Sequence, residues 1–200
     1  MKKIFTLVWL FSFYLFANNQ EITINNHHFT IVTEKYDLYA SKGEVMRFYR
    51  DIHDKKPLFH LILNDATGGC SSRSLEDGAY EIEGNKIKLY SFFNRQGDAY
   101  NEPYGAKIVE YEVLNSGELK RLSSRVYIET AKRGYESSKG MRYLFEKPKT
   151  KEEKRELVEY IKEVESKYLA KFVLGDEANS LMKEVKEALK RKIKRRWSSK

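Results

Sequence analysis

Cysteine is almost missing from this 200-residue chain, which holds only Cys70. No intramolecular disulfide is possible, so stability must come from packing. The lone thiol reads as a buried small hydrophobe, a partner for another chain's thiol, or a reactive group. Proline is scarce as well, at three residues. Histidine is limited to four, which leaves little material for a metal centre. His27 and His28 are adjacent and on a strand point to opposite faces. His53 lies in the turn-like DIHDKK, and His60 sits in an apolar run and reads as a core residue. The sequence therefore implies no metal and no cofactor. After residue 17 no apolar run approaches the roughly 20 residues that a spanning helix needs.

The one long apolar run is at the front. MKKIFTLVWLFSFYLFA has Lys2 and Lys3, then apolar residues from Ile4 to Phe16, then Ala17 before a polar stretch. This reads as an export signal cleaved near Ala17, making the protein periplasmic or secreted. The competing reading is an uncleaved anchor, because Leu15 is larger than the small residue favoured two places before a cleavage site.

Charge is also unevenly placed. Asn18 to Pro148 carries 19 basic and 19 acidic residues, and Lys149 to Leu189 carries 9 and 10. The final KRKIKRRWSSK, Lys190 to Lys200, has 7 basic residues and no acidic one. Loss of Lys2 and Lys3 takes the formal charge from +8 to +6, and that excess sits at the C-terminus. A basic end of this kind suits an anionic membrane surface or envelope polymer, through Lys190, Arg191, Lys192, Lys194, Arg195, Arg196 and Trp197. The same cations also suit a solvated helix end. Nucleic acid is not an expected partner outside the cytoplasm, whereas an exported protein partner is compatible.

From Glu21 to Leu144 short alternating segments are separated by turn residues, the pattern of an antiparallel barrel or sandwich of about eight strands. In GAYEIEGNKIKLYSFF, Tyr80 and Ile82 alternate with Glu81 and Glu83, Gly84 and Asn85 form the turn, and Ile87, Leu89 and Ser91 return, predicting a hairpin with one buried face. A second hairpin places Val109, Tyr111 and Val113 on one face, turns at Asn115 to Gly117, and returns through Val126 and Ile128. EITINN with HHFTIVTE, and EVMRFYRD with PLFHLILND, suggest two more pairs. The run Leu58 to Leu63 is apolar on both faces and reads as a central strand.

The string G-x-Y-x-I-x-G-N-x-I-x-L from Gly78 to Leu89 resembles hairpins of small lipocalin-like (calycin-type) barrels found in bacterial envelope proteins. The resemblance implies an up-and-down barrel with an interior for one apolar ligand. It carries over no functional residue.

After Pro148 the period becomes helical. Thr150 and Glu153 form a capping box, followed by Leu157, Ile161, Val164, Tyr168 and Phe172, with Gly175 ending the helix. Asp176 caps a second helix striped by Leu181, Val185, Ala188 or Leu189, Ile193 and Trp197. The expected organisation is a signal over 1–17, an antiparallel β domain over 18–148, and an α-helical hairpin with a basic end over 149–200, an α+β fold. The helices are expected to pack on one another and on the β body, with docking on another protein as the alternative.

Two loops attract chemistry. NDATGGCSSRSLEDG gathers Cys70 with glycines, serines and Arg73, a setting for a thiol-dependent hydrolase or redox protein. A phosphatase-like loop would need arginine six places after the cysteine, where this chain has Glu76, and no histidine is placed to act as base. NRQGDAYNEPYG offers Asp98, Tyr100, Asn101, Glu102 and Tyr104 as a recognition loop, as expected of an inhibitor or accessory factor of another exported enzyme. It also contains oxygen ligands for calcium, but without EF-hand order. The alternative for both is an ordinary strand connection. With no complete catalytic set, the sequence points to a non-enzymatic binding or adaptor protein.

Overall fold

The computed structural model describes residues 18–38, 41–68, 72–97, 103–130 and 147–198. The export signal, Cys70, Asp98, Tyr100, Asn101 and Glu102 lie outside the described residues. Eight strands follow in a meander: β1 Asn18–Ile24, β2 His27–Leu38, β3 Ser41–Tyr49, β4 Phe59–Gly68, β5 Ser72–Glu83, β6 Lys86–Gly97, β7 Pro103–Val113 and β8 Leu119–Thr130. Then come α1 Lys151–Tyr168, the short β9 Lys171–Phe172, and α2 Asp176–Ser198. Strand order in the sheet is the order in the chain. Neighbours are antiparallel except β9, which pairs parallel with β8 through Arg125 and Val126.

Turn chemistry drives the meander. Asn25 and Asn26 take positive φ (50° and 63°) between β1 and β2, Gly84 (59°) turns β5 into β6, and Gly117 (78°) turns β7 into β8. These left-handed positions match the strand twist of tight hairpins, and asparagine and glycine adopt them at least cost.

The sheet folds over on itself without closing its ladder. Residues of β1 to β4 (Ile24, Phe29, Ile31, Met46, Phe48, Leu61, Leu63) share one core cluster with Ile87, Leu89, Val109 and Val113 of β6 and β7. Four rings stack through this core, Phe29 on Phe48 at 5.0 Å, Phe48 on Phe59 at 4.7 Å and Phe59 on Tyr111 at 5.2 Å. The last contact joins strands that are not sheet neighbours. At one end the first hairpin meets the β7–β8 turn: Asn25 Nδ2 donates to Val113 O at 3.0 Å, and His27 Nε2 lies 2.9 Å from Asn115 O. Arg50 Nη2 donates to Gly117 O at 3.1 Å. Register irregularities at Glu44/Val45 and Glu110/Tyr111 supply the local bends.

The outer face of β5 to β8 carries α2. Ala79, Tyr90, Ala106 and Ile108 pack there against Ala178, Leu181, Met182, Val185 and Ala188. Val126 and Ile128 point the other way and pack with Ala170 and Phe172, backed by Tyr160 and Ile161 of α1. Because Tyr127, between them, joins the α2 cluster, the two helices lie on opposite faces of β8.

Several expectations are corrected by this packing. The helices are not a mutually packed hairpin, since β9 separates them and each has its own sheet face. The helix from Thr150, with its capping box intact, ends at Tyr168 with Leu169 left-handed (φ 48°), not at Gly175. Phe172 is a buried strand residue, edge-on to Tyr160 at 6.3 Å, and burying it beside β8 outweighs another helical turn. Ile193 is 56% exposed, because α2 runs past the end of its core at Ala188 and Leu189. His60 is exposed. The β5–β6 hairpin buries both faces, with Tyr90 beneath α2. Much of each supposed loop is strand, since backbone pairing carries β4 to Gly68, β5 back to Ser72, β6 to Gly97 and β7 back to Pro103. Arg73 pairs with Gly68 and Gln96, and Tyr104 with Asn94 and Glu129, as ladder positions. Among the described residues no group of His, Cys, Asp and Glu could hold a metal ion, and no helix is long and apolar enough to cross a membrane.

Candidate functional site

The basic end of the chain belongs to α2, whose position is set by apolar burial first and charge second. Midway along the helix, Glu184 sits between Lys88 of β6 and Arg125 of β8, and Lys88 also approaches Glu110 at 3.3 Å. Burial works to lower the Lys88 ammonium, but the hydrogen bonds and charges of Glu184 and Glu110 outweigh it and hold its pKa above the ordinary value. Lys88 also lies 5.5 Å from the centre of the Tyr90 ring.

Two further turns bring the basic run itself to the sheet. Arg191 Nε donates to Glu81 Oε1 at 2.7 Å, and the Tyr90 hydroxyl donates to Glu81 Oε2 at 2.8 Å. Burial alone would raise the Glu81 carboxyl, but the bonds from Arg191 and Tyr90, with the charges of Arg191 and Arg195, bring it below the usual carboxylate value. Burial and the Glu81 bond push the Tyr90 hydroxyl well above the normal tyrosine range. Lys192 takes a different role. Its ammonium donates to Leu63 O at 2.5 Å and Gly78 O at 2.7 Å. β4 pairs with β5 only from Asn64 onward, so these carbonyls stand where the two strands part. Lys192 supplies the donors the ladder no longer provides.

The basic run is thus divided. Arg191 and Lys192 are committed to the body, whereas Lys190 and Lys194 are exposed. With Lys183 and Lys186, also exposed, they recur at three- and four-residue spacing and fall within about 80° of arc on the side of α2 away from its core. Among the described residues, none of these four lysines makes an ion pair or a side-chain hydrogen bond. Lys183, Lys186 and Lys190 border a groove of about 430 Å³ with Glu187 and with Tyr127 of β8. Lys194 borders a second depression, of about 370 Å³, with Arg191, Arg195 and Ser198. Exposed Ile193 adjoins this lysine row. Arg196 and Trp197 are helical, in the last turns of α2.

Sequence reading therefore placed Lys190, Arg191, Lys192, Lys194 and Arg195 on one element, but not their different roles. It missed Lys183 and Lys186, because the block of uninterrupted positive charge begins only at Lys190. The spacing 183, 186, 190, 194 was the signal that could have found them. Glu81 and the two strand carbonyls had no local signal. No family model matches the chain, and no curated protein or solved structure matches it either.

Proposed function

We propose that this is an exported, non-enzymatic binding protein that docks on an anionic lipid surface through the outward lysine row of α2. The observation that carries this reading is the division of labour along the helix. Cations facing the sheet are held by Glu81 and by strand carbonyls, and Lys183, Lys186, Lys190 and Lys194 are exposed on the opposite side, with Glu187 the acidic residue of the groove that the first three border. The remaining body is electrically balanced, so the field outside the molecule is strongest at this helix. Four lysines at about 1 kcal/mol each near an anionic leaflet would raise surface partitioning roughly a thousandfold at low salt. Exposed Ile193 beside them supplies apolar area at the headgroup boundary. The N-terminal export pattern supports an encounter outside the cytoplasm.

The test uses protein lacking residues 1–17 and vesicles of phosphatidylcholine with or without phosphatidylglycerol, in sedimentation assays at two salt concentrations. Binding should require phosphatidylglycerol, weaken with salt, and fall by at least about thirtyfold in the Lys186→Glu/Lys190→Glu variant. Equal binding to neutral vesicles, or an unaffected double variant, would overturn the proposal. Retention on a soluble polyanion without vesicle binding would likewise replace the lipid surface by an acidic envelope polymer.

A further inference from the structure

The parting of β4 from β5 opens a cavity of about 730 Å³ beneath the end of α2. Its walls include the consecutive residues Ala79 and Tyr80. Neighbours on a strand point to opposite faces, so the cavity passes through the sheet at the fork. Ala79 belongs to the α2 side, whereas Tyr80 packs against the inner core.

The inner-face residues change character as they reach this opening. In the registers of β1 to β3 the turn end presents Ile22, Ile24, Phe29 and Ile31 inward, and the opposite end presents Asn18, Gln20, Thr33, Lys35 and Glu44 at positions of the same parity. These five polar residues line the cavity. A strand whose inward positions turn polar where the sheet opens is not extending its core. It is furnishing a wetted wall. Leu63 and Tyr80 supply apolar surface across from it, and Lys192 and Arg195 of α2 bring two cations to the mouth. Lys35 and Glu44 face one another across β2 and β3 and balance in charge, so the other charged residues of the lining are the cations Lys192 and Arg195. Burial raises the Tyr80 hydroxyl and the charge of Arg195 works against that rise, so Arg195 acts on the Tyr80 side of the cavity.

We infer that this cavity is a binding site for a small amphiphilic anion, its acid group met by Arg195 at the mouth and its apolar body laid against Leu63 and Tyr80. The volume lies within the range of ordinary small-molecule pockets. The site faces the body, not the outward lysine row, so it stands or falls separately from surface docking.

The experiment titrates protein lacking residues 1–17 with the fluorescent anion 1-anilinonaphthalene-8-sulfonate and with neutral N-phenyl-1-naphthylamine. The anion should bind one saturable site, at least about tenfold more tightly than the neutral dye. Arg195→Glu, at an exposed helix position, should weaken the anion by about tenfold or more. Gln20→Trp, on the edge strand β1, should do the same by filling the space. Lys186→Glu/Lys190→Glu should leave the affinity within about twofold while abolishing vesicle binding. Dodecanoate and dihexanoyl phosphatidylglycerol, each below its micellar concentration, are the competitors. Displacement by dodecanoate alone assigns a free carboxylic amphiphile, and displacement by the phospholipid assigns a lipid headgroup with its chains. Displacement by neither, equal binding of the two dyes, or full affinity in the folded Arg195→Glu variant would overturn the inference, and that variant decides the matter if Gln20→Trp fails to fold.

Discussion

Arg191 donates to Glu81 at 2.7 Å across 110 residues of chain, and the second oxygen of that carboxylate accepts the hydroxyl of Tyr90 at 2.8 Å. The two donors are not equivalent. Arg191 is a largely hydrated side chain on the rim of α2, whereas Tyr90 is 2% exposed beneath the helix. Removing Arg191 leaves a partly exposed carboxylate that still accepts from Tyr90, but removing Glu81 leaves a buried hydroxyl without its acceptor.

Arg191→Ala should therefore cost little, within the roughly 0–1 kcal/mol of exposed ion pairs. Glu81→Ala should cost about 1–3 kcal/mol, the penalty for a buried polar group left unsatisfied. Urea denaturation of both variants measures the difference. Equal destabilisation would show that Tyr90 finds another partner. Glu81→Ala/Tyr90→Phe, which removes both partners of the bond, should recover part of the loss.

The same carboxylate makes α2 docking acid-sensitive. Glu81 has a folded pKa below its ordinary value, so its contribution is present at neutral pH and is lost as pH falls through the folded value. Glu81→Gln keeps an acceptor for Tyr90 and removes the titration. The difference in Tm between wild type and Glu81→Gln should be largest near neutrality and shrink below about pH 4, the ordinary range of a glutamate. A difference that stays constant from neutral pH to pH 3 would remove Glu81 as the titrating group. The partial exposure of the pair keeps the effect modest.

What could be read in advance follows from how local the cause is. The Gly84–Asn85 turn, the inward set Ile87 and Leu89, and the Thr150–Glu153 capping box are decided by residues a few positions apart, and each stands in the fold as its sequence suggests. Tyr90 alternates with Ile87 and Leu89 onto the opposite face of its hairpin, and nothing in that hairpin reveals that α2 will cover it. Phe172 kept helical spacing yet became a strand residue, since its burial against Val126 and Ile128 depends on the edge of β8. The roles of Arg191 and Lys192 were invisible for the same reason. Their acceptors, Glu81, Leu63 and Gly78, are brought to them by the fold over more than a hundred residues.

Lys107 offers a test of the folded-over core from its unfavourable side. The register places it opposite Val126 on the inward parity of β7, two positions before buried Val109, and its side chain is half-buried. Burial lowers its pKa, the charge of Arg121 lowers it further, and Glu76 only partly opposes them. A lysine whose folded pKa lies below its unfolded one destabilises the fold while it is charged. That cost is present at neutral pH and is relieved as pH rises through the folded value towards the unfolded value of about 10.4. Lys107→Met preserves the aliphatic reach and removes the charge, and is expected to raise stability at pH 7 by an amount on the order of 1 kcal/mol. The gain should shrink between pH 7 and pH 10. Urea unfolding of both proteins at those two pH values measures it, and a variant that is less stable at pH 7 would show that Lys107 is held by favourable partners after all.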